Sequence, residues 1–228
     1  KLRGLILKTP LPHNLISEIQ QAWSDVSESG KSFAVRSSAT AEDLPDASFA
    51  GQQETFLNIN GFDNLIDAVR KVYASLFTDR AISYRRLRNF KGSLSISVGV
   101  QEMVRSDIGA SGVAFTLDTE SGYRGSIFIT SSYGLGEGIV QGTVNPDEFY
   151  VFKEALEKNN FPIIKKSLGE KAKKMIFADN NLPGKSVKYI RVPKKETSEF
   201  SLTNSEIIEL AKYAKTIEDH YKVPMDIE

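Results

Sequence analysis

The sequence contains no cysteine and only two histidines, His13 and His220. Without cysteine the chain can form no disulfide, and at 228 residues it is long enough to bury a core without one. His13 follows a proline in a predicted turn. His220 falls in the last turn of a predicted helix, where a cation suits the helix dipole. With no cysteine and two separated histidines, a structural zinc site is nearly excluded.

Long apolar runs and an excess of charge of one sign are also missing. No segment approaches the roughly 18 apolar residues of a membrane span, and no signal-peptide core follows the N-terminus. The 29 lysines and arginines balance 29 aspartates and glutamates, so no global field attracts a polyanion. We therefore expect a cytoplasmic chain with no nucleic-acid and no membrane partner. Two basic clusters are predicted to be solvated faces: Arg80, Arg85, Arg86 and Arg88, and Lys165, Lys166, Lys171, Lys173 and Lys174.

The sequence does contain patterns of helices and of consecutive strands, and these occur in separate groups along the chain. Helical spacing of apolar residues predicts helices near 14–25, 65–76 and 204–221, the last opened by the capping box of Thr203 and Glu206. Strand candidates joined by short turns fill 95–131 and favour an α+β fold with a largely antiparallel sheet over a regular βαβ winding. Because the sequence starts without methionine and stops in an apparently unfinished strand, we expect truncation at both ends.

The first candidate for chemistry is Arg36. It follows the apolar run at 33–35, which reads as a strand ending on Arg36, and it precedes a long polar loop over 37–55 without regular structure. A guanidinium in this position can direct its donors at phosphate oxygens, or it can form a surface ion pair with Glu42 or Asp43. The loop is not a Walker loop, and its hydroxyls and glycine suit either anion binding or plain solvation.

Two further segments carry acidic residues in positions that suit ligand or metal binding. The glycines at 134–138 do not complete a dinucleotide fingerprint, and they are interpreted as sites of tight turning or close backbone approach. Within them, Glu137 is available for a ribose hydroxyl or for a local salt bridge. Asp226 and Glu228 stand two apart in a predicted strand and so share a face, which fits either a Mg²⁺ site or a solvated acidic edge.

Together these segments resemble a known family. The motifs at 35–43, 47–55, 100–107, 111–116, 134–137, 144–148 and 220–228 occur in the family's order. They resemble the N-terminal nucleotide-binding domain of the pyruvate phosphate dikinase family of PEP-utilising enzymes, in particular the members that use pyruvate and water as phosphoryl acceptors. The resemblance implies an ATP-grasp-like fold of two subdomains that clasp ATP. The first part would be 1–104, with the Arg36 strand and a glycine loop, and the second part 105–228.

The resemblance also implies roles for individual residues. Arg36 would be the catalytic, phosphate-contacting arginine, and Gly51, Gln52, Gln53 and Thr55 would belong to the glycine loop over the phosphates. The hinge whose backbone reads adenine would be Gln101, Glu102, Met103 and Val104. Glu228, with Asp226, would hold Mg²⁺ and nucleotide. The implied cofactors are therefore ATP and Mg²⁺.

The implied reaction converts ATP, pyruvate and water into phosphoenolpyruvate, AMP and phosphate through a phosphohistidine on a separate domain. The family's phosphate-binding lysine, a Gln-x-Arg pair, the phosphoryl-carrying histidine and the pyruvate barrel have no counterpart in this sequence. We therefore expect the isolated fragment to be inactive, with pyruvate reached only through the missing domains. The alternatives are a related dikinase acting on pyruvate and phosphate, a glucan or an antibiotic, and a non-catalytic nucleic-acid-binding module.

Overall fold

A computed structural model describes residues 2–28, 30–39, 43–44, 47–48, 54–87, 95–158 and 160–228. The chain forms two compact units. Unit 1 comprises Lys1–Val104 together with Phe177–Val187, and unit 2 comprises Arg105–Ile176 together with Lys188–Glu228. None of the helices in the described ranges is both long enough and apolar enough to cross a membrane.

Unit 1 is built on a three-stranded antiparallel sheet in the order β4 (Phe56–Ile59), β1 (Phe33–Ala39) and β5 (Ile96–Glu102), with helices, among them α3 (Phe62–Ser75), packed on one face. Val35 and Ile59 from the sheet meet Leu65 and Val72 from α3 in a core from which solvent is excluded. The elements are α1 (Leu2–Lys8), α2 (His13–Val26), β1 (Phe33–Ala39), β2 (Asp43–Leu44), β3 (Ala47–Ser48), β4 (Phe56–Ile59), α3 (Phe62–Ser75), α4 (Asp79–Leu87) and β5 (Ile96–Glu102).

The prediction that the first strand ends on Arg36 is wrong. β1 continues to Ala39 because β5 pairs with it in unbroken register, from Phe33 opposite Glu102 to Ala39 opposite Ile96. The polar composition of 37–39 hid this pairing, which supplies backbone partners from a segment about 60 residues away. The expected irregular loop is also shorter, since β2 and β3 form a small antiparallel pair within it.

Unit 2 contains a five-stranded antiparallel sheet in the order β12 (Asp226–Ile227), β6 (Ala110–Phe115), β7 (Ser126–Tyr133), β8 (Asp147–Phe152) and β9 (Ile163–Ser167). The meander expected from the strand candidates over 95–131 is confirmed only for β6 and β7, because the first candidate is β5, which pairs with β1 of unit 1. β8 and β9 continue the meander instead. Ile127, Ile129, Phe149 and Val151 alternate along β7 and β8 and pack under Ile207 of α8. The elements are β6 (Ala110–Phe115), β7 (Ser126–Tyr133), α5 (Glu137–Val140), β8 (Asp147–Phe152), α6 (Lys153–Glu157), β9 (Ile163–Ser167), β10 (Lys173–Phe177), β11 (Val187–Arg191), α7 (Lys194–Thr197), α8 (Asn204–Tyr221) and β12 (Asp226–Ile227).

A buried ion pair lies at the edge of the unit 2 core. Asp147 and Lys171 are both fully buried and form a salt bridge. Asp147 also accepts hydrogen bonds from the backbone N–H of Gly169 at 2.8 Å, and from the N–H and hydroxyl of Ser201, each at 2.7 Å. The expectation that Lys171 belongs to a solvated basic face is therefore wrong, because a single carboxylate neutralises it inside the protein.

The other lysines of that cluster lie against aromatic rings. Lys165 lies 5.1 Å from the ring centre of Tyr150, Lys166 4.4 Å from that of Phe200, and Lys173 4.6 Å from that of Tyr189. The long aliphatic part of a lysine side chain can cover apolar surface while its ammonium group remains hydrated. This explains why the lysine-rich segment at 173–177 forms a strand, which its composition did not predict.

The predicted capping box at the start of α8 is confirmed. Glu206 N–H donates to Thr203 Oγ1 at 3.3 Å, and the Glu206 carboxylate accepts from Thr203 N–H at 2.7 Å. The backbone and side-chain hydrogen bonds from Thr203 lower the pKa of Glu206. A carboxylate with a lowered pKa stabilises the fold above its ordinary pKa, and this contribution disappears as the pH falls through the lowered value.

We expect Thr203→Ala to lower the free energy of unfolding by about 1 kcal/mol at neutral pH, as measured by urea unfolding. Glu206→Gln keeps an oxygen acceptor but removes the charge. Its deficit relative to wild type should be present at pH 7 and shrink as the pH falls below the ordinary pKa of glutamate and through the lowered pKa of Glu206. A deficit that grows on acidification would contradict this role.

Candidate functional site

In unit 1, Arg36 lies at the middle of β1, on the face of the sheet away from the core. Along the strand Phe33, Val35 and Ser37 are buried, whereas Arg36 and Ser38 are exposed. Arg36 pairs with Gly99 on β5, and an added Cβ at Gly99 would lie 3.7 Å from Arg36 Cγ. A Cβ at that distance would only touch the arginine stem, so the exposure of Arg36 itself leaves its guanidinium accessible on this face.

The predicted partners of Arg36 are only partly described. Glu42 and the side chain of Asp43 lie outside the described residues, and no ion pair of Arg36 occurs within the ranges that the structure covers. Gly51, Gln52 and Gln53 of the predicted glycine loop also lie outside them. Thr55 is described and exposed, next to Glu54, whose carboxylate accepts from Arg3 at 3.0 Å. The ion-pair alternative for Arg36 therefore stays open.

The predicted hinge coincides with the end of β5 and the boundary between the units. Met103 N–H donates to the Ser32 carbonyl at 2.8 Å. Because the backbone groups of an antiparallel strand alternate between its two edges, those of Glu102 point away from β1. None of the described strands pairs with this outer edge of β5, and beside it Val104 is 83% exposed and Val100 42% exposed. Such an arrangement suits a flat heteroaromatic ring that is read by backbone groups.

The side chains of the hinge have separate surroundings. Gln101 is exposed on the same face as Arg36, two residues from Gly99. Glu102 lies 3.2 Å from Lys31, whose pKa is raised by hydrogen bonds to Glu102 and Glu28. The sulfur of Met103 accepts the backbone N–H of Asn58 at 3.0 Å, so this side chain is directed into unit 1.

In unit 2, the glycine segment at 134–138 makes the predicted close backbone approach. Gly134 has φ of +88°, and a Cβ there would lie 2.5 Å from the Met175 carbonyl oxygen. The segment leads into α5, where the Glu137 carboxylate accepts from Gln141 at 2.7 Å. Burial raises the pKa of Glu137, partly offset by this hydrogen bond. Among the described residues Glu137 forms no salt bridge.

Asp226 and Glu228 lie at the open edge of the unit 2 sheet. Asp226 pairs with Phe115, and Ile227 pairs with Ala114. Ile227 packs against the core under α8, whereas Asp226 and Glu228 are exposed. Because alternate residues of a strand point to opposite faces, the two carboxylates project together on the face away from α8.

That face carries a row of rings that sequence reasoning missed, and we call Phe115, Phe128 and Tyr150 the aromatic face. Their ring centres lie 6.3 Å apart for Phe115 and Phe128 and 4.7 Å apart for Phe128 and Tyr150. Asp226 shares this face because directly paired residues of neighbouring strands project to the same side. In the sequence, core residues and aromatic residues alternate along β7 and β8. Only the register of the strands shows that these aromatic rings lie side by side.

The donor set of Asp226 and Glu228 fits Mg²⁺. This ion is typically held by one or two carboxylates, with phosphate and water oxygens completing its octahedron. Within the described ranges, no group of three or more acidic or histidine side chains could hold a metal ion by itself. A site of two carboxylates therefore suits a cation that arrives with a phosphate ligand.

The structure thus brings the predicted residues together in two sets, one in each unit. Arg36 and Gln101 share the exposed face of the unit 1 sheet, with the hinge at its edge. Asp226 and Glu228 share the aromatic face of unit 2, and Glu137 lies apart from them in α5.

Comparison with known proteins gives consistent results. Residues 1–228 match the family described as pyruvate phosphate dikinase, AMP/ATP-binding domain. The chain is 59% identical to phosphoenolpyruvate synthase from Neisseria meningitidis serogroup B and 53% identical to that from Escherichia coli K12. It is 43% identical to probable phosphoenolpyruvate synthase from Pyrococcus horikoshii. In the first two alignments 100% of this chain is matched, but it spans only 29% of the relative's length.

Proposed function

The chain belongs to the family described as pyruvate phosphate dikinase, AMP/ATP-binding domain, and from this premise we propose that it is the ATP-binding part of a phosphoenolpyruvate-forming phosphotransferase. The overall reaction converts ATP, pyruvate and water into phosphoenolpyruvate, AMP and phosphate. The assignment rests on one observation. In each unit, polar and charged residues from separate motifs lie on one face of the sheet, as the binding of a phosphate-rich ligand requires.

Within unit 1, Arg36 donates to phosphate oxygens. Its exposed position on β1 supports this role, because a planar guanidinium forms paired hydrogen bonds to phosphate. The glycine loop with Gly51, Gln52, Gln53 and Thr55 covers the phosphates. The free backbone edge at Glu102 and Val104 reads adenine, with Gln101 and Met103 completing the hinge.

Within unit 2, Asp226 and Glu228 hold Mg²⁺. The chemistry that the ion would supply when bound is neutralisation of part of the phosphate charge. Glu137 accepts from a ribose hydroxyl. Its raised pKa is no obstacle, because a hydroxyl donor stabilises the ionised carboxylate as Gln141 already does. The presence of a set of ligand-suited residues in each unit supports an ATP-grasp-like fold.

The remaining steps lie outside these residues. Since phosphoryl transfer depends on positioning donor, metal and acceptor together, we assign the acceptor steps to the part of the protein not spanned here. That part supplies the phosphohistidine and the pyruvate site. Neither His13 nor His220 is the phosphoryl carrier.

A related dikinase that uses phosphate as its second acceptor is the other candidate, because the matched family carries that name. The products of the full-length protein distinguish the two. Incubated with ATP and pyruvate, it should form phosphoenolpyruvate, AMP and phosphate without added phosphate. A requirement for phosphate, with pyrophosphate as product, would favour the alternative, and ADP as product would contradict both. A nucleic-acid-binding module is disfavoured, since the lysine cluster is occupied with aromatic rings and Asp147.

The metal assignment predicts the behaviour of Asp226→Asn/Glu228→Gln. In the full-length protein Mg²⁺ should strengthen ATP binding, and the double variant should lose this strengthening while its metal-free ATP affinity is kept or slightly raised, since two negative charges are gone. Isothermal titration calorimetry with and without Mg²⁺ measures both affinities. Glu199→Gln, at an exposed position of unit 2, is the matched control and should behave as wild type. An undiminished Mg²⁺ effect in the double variant would refute the assignment.

A further inference from the structure

The strand that carries Asp226 and Glu228 is short and lies at a sheet edge. β12 pairs with β6 through only two residues, Asp226 and Ile227. A two-residue edge strand gains little from its own ladder and frays easily unless other contacts hold it. The orientation of both carboxylates therefore depends on what fixes the backbone next to them.

A buried threonine holds the residue that precedes Asp226. Thr116 N–H donates to the Met225 carbonyl at 3.0 Å, and Met225 N–H donates to Thr116 Oγ1 at 2.7 Å. Thr116 is fully buried. Its side-chain hydroxyl thus accepts the Met225 N–H just before β12 begins, and both backbone polar groups of Met225 are satisfied by this one residue.

A buried lysine in turn fixes Thr116. Lys153 Nζ donates to the Thr116 carbonyl at 2.6 Å and to the two carboxylate oxygens of Glu218 at 2.8 and 2.7 Å. An ammonium group has three donors, and all three are used here. Glu218 lies near the end of α8, and its carbonyl accepts from Lys222 N–H at 2.7 Å, where the helix ends.

The connection from α8 to β12 is therefore fixed at both ends by one network. Glu218 holds its start and Thr116 holds Met225 at its end, while Lys153 joins the two. The network touches neither carboxylate of the proposed metal site. Substituting a residue that supports a metal ligand without contacting the metal itself commonly changes the metal affinity.

We propose that Thr116, fixed by Lys153 and Glu218, is a positioning residue that sets the orientation of Asp226 and Glu228 toward Mg²⁺ and the ATP phosphates. This inference rests on the proposed function, since it assumes that the two carboxylates hold the metal. Thr116→Val preserves the shape of the side chain but removes the oxygen that accepts the Met225 N–H. Thr116→Ser restores that oxygen.

The test measures metal binding directly in the full-length protein. Mn²⁺ replaces Mg²⁺ as the probe, and free Mn²⁺ is followed by electron paramagnetic resonance in the presence of ATP without pyruvate. Thr116→Val should weaken Mn²⁺ binding by about tenfold, the lower end of the range for such supporting groups. Metal-free ATP affinity should stay within twofold of wild type, and Thr116→Ser should restore Mn²⁺ affinity. Thr216→Val, on the exposed side of α8, is the matched control.

A change in stability alone does not support the proposal, because a purely structural threonine would lower the melting temperature without changing Mn²⁺ affinity. If Thr116→Val fails to fold, Lys153→Met/Glu218→Met removes the supporting charge pair together and should weaken Mn²⁺ binding in the same direction. Wild-type Mn²⁺ affinity in the folded variant overturns the positioning role. Such a result, combined with lost affinity in Asp226→Asn/Glu228→Gln, leaves the proposed function standing. Retained affinity in that carboxylate variant overturns the positioning role and the metal assignment together.

Discussion

Replacing Asp147 with alanine should lower the free energy of unfolding by about 3–5 kcal/mol, because it leaves the buried ammonium of Lys171 without its counter-charge. The same change leaves the N–H groups of Gly169 and Ser201 without their acceptor. Unsatisfied buried donors add to the cost, since each has lost water without gaining a partner. Urea unfolding followed by circular dichroism gives the change as a shift of the midpoint.

The matched control for this variant is Asp219→Ala. Asp219 also pairs with a lysine, Lys215, but the pair is on the exposed surface of α8. Exposed pairs of this kind contribute about 0–1 kcal/mol, so the control should unfold close to wild type. Lys171→Met should cost less than Asp147→Ala, because the remaining carboxylate keeps three hydrogen-bond donors. Equal effects for Asp147 and Asp219 would show that the buried pair does not stabilise the fold as described.

Replacing Arg36 with alanine should weaken ATP binding by roughly ten- to a hundredfold, which corresponds to the loss of about 1.5–3 kcal/mol from charged hydrogen bonds. The stability of the fold should hardly change, because Arg36 is exposed and forms no ion pair within the described part of the chain. Calorimetric titration of the full-length protein with ATP measures the affinity, and thermal unfolding measures the stability.

Two further variants sharpen the Arg36 test. Arg36→Lys keeps the positive charge but loses the planar pair of donors, so its ATP affinity should fall between those of wild type and Arg36→Ala. Arg86→Ala removes an exposed arginine from α4 of the same unit and should bind ATP normally. Normal ATP binding by Arg36→Ala would favour the surface ion pair with Glu42 or Asp43.

Features encoded by neighbouring residues were predictable from the sequence. The capping box needs only Thr203 and Glu206, and the shared face of Asp226 and Glu228 needs only the alternation of a strand. Each depends on geometry that repeats within a few residues. The antiparallel pairing of β6 and β7 followed in the same way from the short turn between two strand candidates, whereas the pairing of β5 with β1 did not.

Features that depend on contacts between residues far apart in the sequence were not predictable. The length of β1 depends on β5, and the buried state of Lys171 depends on Asp147, which is 24 residues away in sequence. Composition grouped Lys171 with the solvated lysines around it, because nothing local distinguishes a lysine that meets a buried carboxylate. The aromatic face likewise appears only when the register joins Phe115, Phe128 and Tyr150 across three strands.

Unit 1 is not a continuous segment of the sequence, because it includes Phe177–Val187. Ser186 of this insertion donates its hydroxyl to the Leu57 carbonyl at 2.6 Å and accepts from the Asn58 side chain at 2.8 Å. A gene fragment ending at Val104 would leave these partners unmatched. Recombination between relatives can therefore exchange unit 1 intact only by three crossovers, after Val104, after Ile176 and after Val187, so the two segments of unit 1 are expected to be inherited together.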